Sequence, residues 1–283
     1  MLLSALKICA LRHPALSSKI MVDIHCHLLP GLDDGAASLE ISVQMAEMAI
    51  ADGITHVIST PHASNEYPFD PELVRVRRDE LQSRLGNSLN VATGCDFHLN
   101  FENLAALRAD SKRFTLNQTS YLLVEFDDFA IPASVEQTLH QLHLIGLQPI
   151  ITHPERNALI RSQWERFWGW LRQGCLVQVT AQSLTGGFGR RAQKAAEFLL
   201  HANAIHFIAS DAHNLDSRPL RLKPAFDLLA KTKGEELASA LLEKNPRAVL
   251  EGRSLPYLPA PRDWKLVQSG REEERSKKRF RFF

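Results

Sequence analysis

Two histidines and three aspartates stand in the stretch Asp23-Ile24-His25-Cys26-His27-Leu28-Leu29-Pro30-Gly31-Leu32-Asp33-Asp34-Gly35, which begins within a short apolar run. Successive side chains of an extended backbone point to opposite faces, so His25 and His27 point the same way. Both imidazoles can therefore reach one ion.

Short apolar runs alternate with longer amphipathic stretches beyond this segment. The predicted strands are Met21–Ile24, Ile54–Ser59, Leu89–Thr93, Tyr121–Phe126, Gln148–Thr152, Cys175–Thr180 and Ile205–Ser210. Near-continuous apolar character is typical of strands buried on both faces of a parallel sheet. Helical spacing predicts helices at residues 38–53, 71–85, 134–145, 163–173 and 190–202. This alternation predicts an α/β fold, a (β/α) barrel of seven units over residues 21–252.

Nearly every predicted strand ends in a residue that can bind a metal. The candidate ligands are His25, His27, Asp34, His62, Asp96, Glu125, His153, Asp211 and His213. The carboxyl ends of barrel strands meet at one rim, so these side chains are expected to converge there. They are too many for one four- to six-coordinate ion, which predicts two or three ions. His98 is an alternative ligand to Asp96, and the remaining histidines are predicted to be structural or exposed.

The ligand types indicate which metals to expect. Imidazole and carboxylate groups without thiolate favour Mn²⁺, Fe²⁺ or Zn²⁺. The four cysteines are far apart in sequence and form no C-x-x-C pair, which argues against a zinc ribbon or a disulfide scaffold and favours a reducing cytoplasm. Cys26, between two ligands, is predicted to be a small buried side chain.

Composition excludes two other classes of function. The chain has 283 residues and a formal net charge of +1, so it has no strong field for nucleic acid or an anionic membrane surface. No apolar run is long enough for a membrane span. Residues 1–20 are predicted to be a disordered leader or a misassigned start. Residues 253–283, with several prolines and a basic end, are predicted to be a flexible tail.

Four motifs together resemble one known family. They are the opening stretch, Thr60-Pro61-His62, Thr152-His153-Pro154-Glu155-Arg156 and Ser210-Asp211-Ala212-His213-Asn214. They resemble the manganese-dependent tyrosine-protein phosphatases of bacterial capsule and exopolysaccharide loci (CpsB/CapC type), in the polymerase and histidinol phosphatase (PHP) superfamily. The resemblance spans about residues 21–252. One departure is that Asp96 stands where that family usually has glutamate.

The resemblance implies a distorted (β/α)7 barrel of the PHP type with a trinuclear metal centre, most readily filled by Mn²⁺. It implies a phosphotyrosine protein substrate, namely an autophosphorylated bacterial tyrosine kinase that controls polysaccharide export. It also suggests that copies of the chain meet through the helix that begins near Ala36, forming a homo-oligomer.

Catalytic roles follow for three residues. Arg156 and Arg218 would neutralise the phosphoryl oxygens, and either metal-bound water or His62 could protonate the leaving phenolate. The cysteine route is rejected, because the position six residues after Cys26 is Leu32 rather than the arginine of a cysteine-phosphatase loop. The glycine-rich segment 186–189 lacks a phosphate-loop pattern, and its Phe188 is predicted to shape the substrate mouth. Two alternatives remain: a small-molecule phosphatase of the histidinol-phosphate type, and a non-catalytic kinase-binding scaffold.

Overall fold

The computed structural model describes residues 20–270 of the chain. This part contains nine strands: β1 (Met21–Cys26), β2 (Ile54–Ser59), β3 (His62–Ala63), β4 (Asn90–Thr93), β5 (Asp96–His98), β6 (Tyr121–Glu125), β7 (Gln148–Thr152), β8 (Leu176–Thr180) and β9 (Phe207–Ala209). They pair in parallel throughout. One sheet has the order β1-β2-β4, and the other has the order β3-β5-β6-β7-β8-β9.

The two sheets are parts of one ring. The β2–β4 pair and the β3–β5 pair have the same sequence offset, as in His56 opposite Asn90 and His62 opposite Asp96. β3 therefore continues β2, and β5 continues β4, each after a short interruption. The nine segments occupy seven strand positions, which is the number that the sequence predicts.

The ring closes between β1 and the residues that follow β9. Asp211 N donates to His25 O, and His27 N donates to Ala212 O, each over 2.8 Å. Cys26 and Ala212 form a parallel bridge between these hydrogen bonds. The predicted distorted (β/α)7 barrel is thereby confirmed.

One interruption has a visible packing cause. A Cβ atom at Gly94, between β4 and β5, would lie 2.7 Å from Leu116 Cδ2 and 3.2 Å from Leu116 Cα. Leu116 belongs to the 3-10 turn Leu116–Gln118 and is fully buried. Only glycine lets the backbone pass so close to this turn.

Helices cover the ring. They are α1 (Leu39–Asp52), α2 (Pro71–Leu85), α3 (Phe101–Ala109), α4 (Val135–Leu144), α5 (Ala158–Ser162), α6 (Trp164–Arg172), α7 (Ala181–Thr185), α8 (Gly189–His201), α9 (Lys223–Lys233), α10 (Glu235–Ser239) and α11 (Asn245–Leu250). The five predicted helices correspond to α1, α2, α4, α6 and α8. Helix α1 begins where its sequence predicts, because Ser38 Oγ accepts a hydrogen bond from Ile41 N. In the described range no helix is long and apolar enough to span a membrane.

Two apolar clusters make up the core. The larger one lies between the strands and the helices. The smaller one contains Leu123, Ile150, Leu176 and Phe207, which alternate along their strands with members of the larger cluster. Alternation assigns the smaller cluster to the interior of the ring.

The first part of the predicted flexible tail, which begins at residue 253, contacts the barrel. Tyr121 Oη donates to Arg253 O (2.7 Å), and Trp168 Nε1 donates to Arg262 O (2.8 Å). Tyr257 and Trp264 pack against the larger apolar cluster. The proline-rich, basic composition hid these two aromatic anchors. The predicted leader and the basic end of the tail, residues 1–19 and 271–283, lie outside the described residues.

Candidate metal centre

A register irregularity in β1 directs His25 and His27 into the centre. Val22 and Ile24 belong to the cluster inside the ring, whereas Cys26 belongs to the outer cluster. The side-chain alternation therefore changes between Ile24 and Cys26, where the pairing with β2 shifts register. A bulge of this kind re-aims side chains next to functional sites.

The loop after β1 folds back on His27. Asp33 Oδ2 accepts a hydrogen bond from His27 Nδ1 over 2.6 Å, and Ala36 N donates to His27 O. A Cβ atom at Gly35 would lie 2.3 Å from His27 O, so this close approach requires glycine. The fold-back places Asp34 within 3.4 Å of two imidazole nitrogens, those of His62 and His213.

The structure brings all nine predicted ligands together, and His98 joins them. Their ligand atoms form four overlapping groups, each with its atoms within 4.8 Å of one another: His27, Asp34, His62 and His213; His62, Asp96, His98 and Glu125; His25, His27 and Asp96; His25, His153 and Asp211. Both third-strand alternatives, Asp96 and His98, belong to the same group. The overlap predicts adjacent ions that share ligands.

The polar atoms of this cluster fit divalent ions. Among the described residues, His25 Nε2, His27 Nε2, His213 Nε2 and both carboxylate oxygens of Asp96 are buried without a hydrogen-bond partner. Such burial is costly unless a ligand satisfies the atoms.

The spacing of the atoms agrees with this reading. His25 Nε2 lies 3.4 Å from both Asp96 Oδ2 and Asp211 Oδ1, and His62 Nδ1 lies 3.3 Å from Glu125 Oε2. Two ligands bound at about 2.1 Å and separated by an octahedral or tetrahedral angle lie about 3.0–3.4 Å apart. The donor set therefore fits the implied metals.

The carboxylates determine the charge of the imidazoles. Burial lowers the pKa of His62, but the nearby carboxylates of Asp34 and Glu125 outweigh burial and raise this pKa to about 11. Burial also opposes the charged form of His25, yet Asp96 and Asp211 raise its pKa to about 9. His153 behaves differently, because burial and the neighbouring Arg156 lower its pKa to about 3. The cluster holds positive charge strongly, whether as protons or as cations.

Hydrogen bonds behind the ligands orient them. Gln178 Oε1 lies 3.0 Å from His25 Nδ1, and Asp33 occupies Nδ1 of His27. Both imidazoles therefore turn Nε2 toward the centre. Metal-binding histidines are commonly oriented in this way by a hydrogen bond to the other ring nitrogen. Sequence reasoning missed both orienting residues. Asp33 stands beside a predicted ligand, and Gln178 is a lone polar residue within an apolar strand, which are the signals that could have identified them.

Two candidate ligands have strained backbones. His153 has φ of 30° and Asp211 has φ of 52°, each just after a strand of the ring. Residues other than glycine rarely adopt positive φ, and such strain clusters at functional sites. The positive φ of His153 interrupts the side-chain alternation of the strand that ends at Thr152, and His153 can therefore reach the centre.

Arg156 and Arg218 converge on a single carboxylate. Both guanidinium groups contact Asp211 Oδ2, with Arg218 Nη2 at 2.6 Å. The Phe188 ring lies 4.2 Å from the Arg156 guanidinium and 6.0 Å from that of Arg218. The predicted anion-binding pair thus lies at the edge of the ligand cluster, beside the glycine-rich segment.

Cys26 cannot compete as a nucleophile. It is fully buried, and burial together with the nearby Asp23 carboxylate raises the pKa of its thiol well above the usual value. Its Sγ points to Ile58 O at 3.7 Å rather than into the centre. The predicted structural role of Cys26 agrees with this geometry.

Comparisons with known proteins identify the family. The model of the family described as "Capsular polysaccharide synthesis, CpsB/CapC" matches residues 21–251. The chain is 38% identical over 239 residues to the tyrosine-protein phosphatase YwqE of Bacillus subtilis, covering 83% of this chain and 93% of that protein. It is 29% identical over 241 residues to the tyrosine-protein phosphatase CpsB of Streptococcus agalactiae, covering 82% and 98%.

A solved structure agrees. Crystal structures of YwqE from Bacillus subtilis and CpsB from Streptococcus pneumoniae are described as "unique metal-dependent tyrosine phosphatases". The matched chain superposes with a TM-score of 0.80 at 36% identity, covering 86% of this chain and 98% of that one. The chain therefore belongs to the CpsB/CapC family.

Proposed function

We propose that the chain is a metal-dependent protein-tyrosine phosphatase. The observation that carries this proposal is the set of four overlapping ligand groups, built from buried and largely unpartnered imidazole and carboxylate atoms. The two arginines beside the groups add an anion-binding edge. The related proteins named as tyrosine phosphatases support phosphotyrosine as the substrate.

The nine predicted residues, together with His98, would hold two or three divalent ions, Mn²⁺ in our proposal. Such ions supply an activated water and neutralise phosphoryl charge. Fe²⁺ and Zn²⁺ suit the same donor set, and metal content is the measurement that distinguishes them.

The arginines would bind and orient the phosphoryl group. Two guanidinium groups face one oxygen of Asp211, so a positive charge is left over for a phosphate that approaches this edge. Phe188 stacks against Arg156 and restricts its side chain.

The leaving group requires little help. A phenolate has a pKa of about 10 and departs more readily than an alkoxide. The His62 side chain is 14% exposed, so it lies where the cluster opens to solvent. We propose that this imidazole takes one of two roles, ligand to an ion or proton donor to the phenolate, because a metal-bound imidazole is neutral.

The biological setting is also a proposal. We infer that the substrate is an autophosphorylated bacterial tyrosine kinase, because the family is described by capsular polysaccharide synthesis. A cytoplasmic location fits the free, buried thiols of Cys26, Cys95 and Cys175 in the described part of the chain. The exposed face of helix α1, the helix predicted to begin near Ala36, is the proposed contact in a homo-oligomer.

A metal-reconstitution assay tests the function. The chain is stripped with a chelator, and phosphate release is measured from a phosphotyrosine peptide and from histidinol phosphate with and without Mn²⁺. We expect Mn²⁺-dependent release from the peptide and much slower release from histidinol phosphate. Activity that resists the chelator would overturn the proposal, and faster turnover of histidinol phosphate would assign the chain to small-molecule hydrolysis. Protein that binds no metal and releases no phosphate would be a scaffold.

A further inference from the structure

A cleft of about 450 Å³ opens beside the metal centre. It shares His98 and Glu125 with the centre and includes neither arginine of the anion-binding edge. The loops that follow β3, β5 and β6 form its walls. When a phosphoryl group binds between the arginines and the ions, the rest of the substrate can therefore extend into this cleft.

The cleft carries negative charge. Glu66 and Asp127 line it in addition to the metal-facing Glu125, and none of its described lining residues is lysine or arginine. Glu66 and Asp127 are exposed at its walls. The centre thus lies between a cationic edge, Arg156 and Arg218, and an anionic cleft.

Two exposed aromatic residues are sequence neighbours of residues that line the cleft. The Phe129 residue is 93% exposed and the Phe101 residue 80% exposed. They neighbour the lining residues Ala130 and Asn100 in sequence. Large apolar side chains that stand free beside a site are typical of surfaces that contact a macromolecule.

The walls are held in place by side-chain hydrogen bonds. Asn157 Nδ2 donates to the carbonyl oxygens of Phe126 and Asp127, each over 3.2 Å. Asn157 follows Arg156 directly, so the wall after β6 is tied to the anion-binding edge. Asn100 Nδ2 donates to Asn65 Oδ1 over 2.9 Å, which joins the other two loops. The cleft is therefore a preformed feature.

We propose that this cleft binds the polypeptide on either side of the phosphotyrosine. It selects segments with lysine or arginine next to the phosphotyrosine and with an apolar side chain that contacts Phe101 or Phe129. We infer a basic peptide because lysine and arginine side chains complement the negative charges of Glu66 and Asp127. This inference rests on the proposed phosphatase function.

Paired peptides test the charge preference. Two phosphotyrosine peptides differ only in having two lysines or two glutamates beside the phosphotyrosine. We measure kcat/KM with Mn²⁺ for both, and divide each value by the rate of the same protein on p-nitrophenyl phosphate, which is too small to need the cleft. The lysine peptide should be preferred about tenfold, and the preference should shrink at high salt.

Neutral variants identify the source of the preference. The double variant Glu66→Gln/Asp127→Asn should bring the normalised ratio close to one. The matched control Glu80→Gln/Glu236→Gln removes two exposed carboxylates outside the cleft and should keep the preference. Phe129→Ala should raise KM for an apolar-flanked peptide several-fold, whereas Leu144→Ala, at another exposed position, should not.

Three results would overturn the inference: equal rates on both peptides, an unchanged ratio in the double variant, or a dimer that Phe129→Ala abolishes without any change in peptide KM. The last result would assign the aromatic rim to a second copy of the chain. If the wild-type protein releases no phosphate from p-nitrophenyl phosphate, the phosphatase proposal fails. The affinities of the two peptides, measured by fluorescence anisotropy, then still decide whether the cleft discriminates.

Discussion

The two ends of the barrel interior differ although the same strands build both. In β6, Tyr121 and Leu123 fill the amino end of the ring, and Glu125, on the same face, reaches the metal centre. In β9, Phe207 belongs to the apolar end, and Asp211 follows at the polar end. The apolar end is stabilised by close packing of its side chains. The other end leaves buried polar atoms that only a bound group can satisfy, so it provides the function at the expense of stability.

The largest effect should come from removing a ligand at the polar end. His27→Ala and Asp211→Ala should each lower phosphotyrosine hydrolysis about a thousandfold, because the metal centre loses a ligand. Cys26→Ser, between the ligands His25 and His27, should retain activity. Metal content and phosphate release check this, and full activity in either ligand variant would contradict the metal centre.

A smaller effect is expected at the anion-binding edge. Arg156→Ala should lower kcat/KM about a hundredfold, because a preorganised donor to the phosphoryl oxygens is lost. Bound metal should stay close to the wild-type amount. Arg190→Ala, which removes an exposed arginine at the start of α8, is the matched control. A loss of metal equal to the loss of activity would mean that Arg156 acts on Asp211 alone.

At the apolar end, we expect a cost in stability rather than in chemistry. Leu123→Ala should lower the free energy of unfolding by about 3 kcal/mol, because Leu123 is fully buried inside the ring. Urea unfolding measures the change, and the folded variant should still bind metal. Leu144→Ala, at a residue that is 71% exposed, should change stability by less than about 0.5 kcal/mol. Equal effects of both substitutions would contradict the assignment of Leu123 to the core.

The smallest effect concerns a histidine away from the centre. Burial lowers the pKa of His206 to about 4, and its Nδ1 accepts a hydrogen bond from Val177 N over 3.1 Å. The unfolded chain binds this proton near pH 6.5, so His206 should reduce stability as the pH falls from about 6.5 to about 4.

Asparagine offers a neutral acceptor at the same place. The variant His206→Asn should therefore lose this part of the pH dependence of unfolding. The difference between the two metal-free proteins isolates it, because the titrations of the metal centre are common to both. Parallel pH curves would show that His206 does not contribute.

The seven strand positions and the convergence of their ends could be predicted from sequence, because buried parallel strands have continuous apolar runs followed by polar residues. Tertiary constraints set what could not be predicted. The bulge in β1 and the positive φ at His153 depend on neighbouring strands, and the interruption at Gly94 depends on a turn distant in sequence. Local spacing carries no signal for these features.

The candidate ligands show the same limit. The nine residues were selected by residue type at strand ends, and the structure brings them together; their binding of metal stays a prediction. Asp33 and Gln178 were missed because they act through other side chains rather than at a strand end. The contacts of residues 253–264 were missed because prolines obscured the aromatic residues that pack.

The junction between β1 and the residues after β9 has a consequence for how the protein assembles. Asp23 Oδ1 accepts a hydrogen bond from Ser210 N, 187 positions away in sequence. Contacts between such distant residues form slowly, since a long loop must close first. His25, His27, Asp211 and His213 all lie at this seam. A refolding chain should therefore bind divalent cations only after β1 pairs with the residues that follow β9. Metal binding would then report the final step of folding.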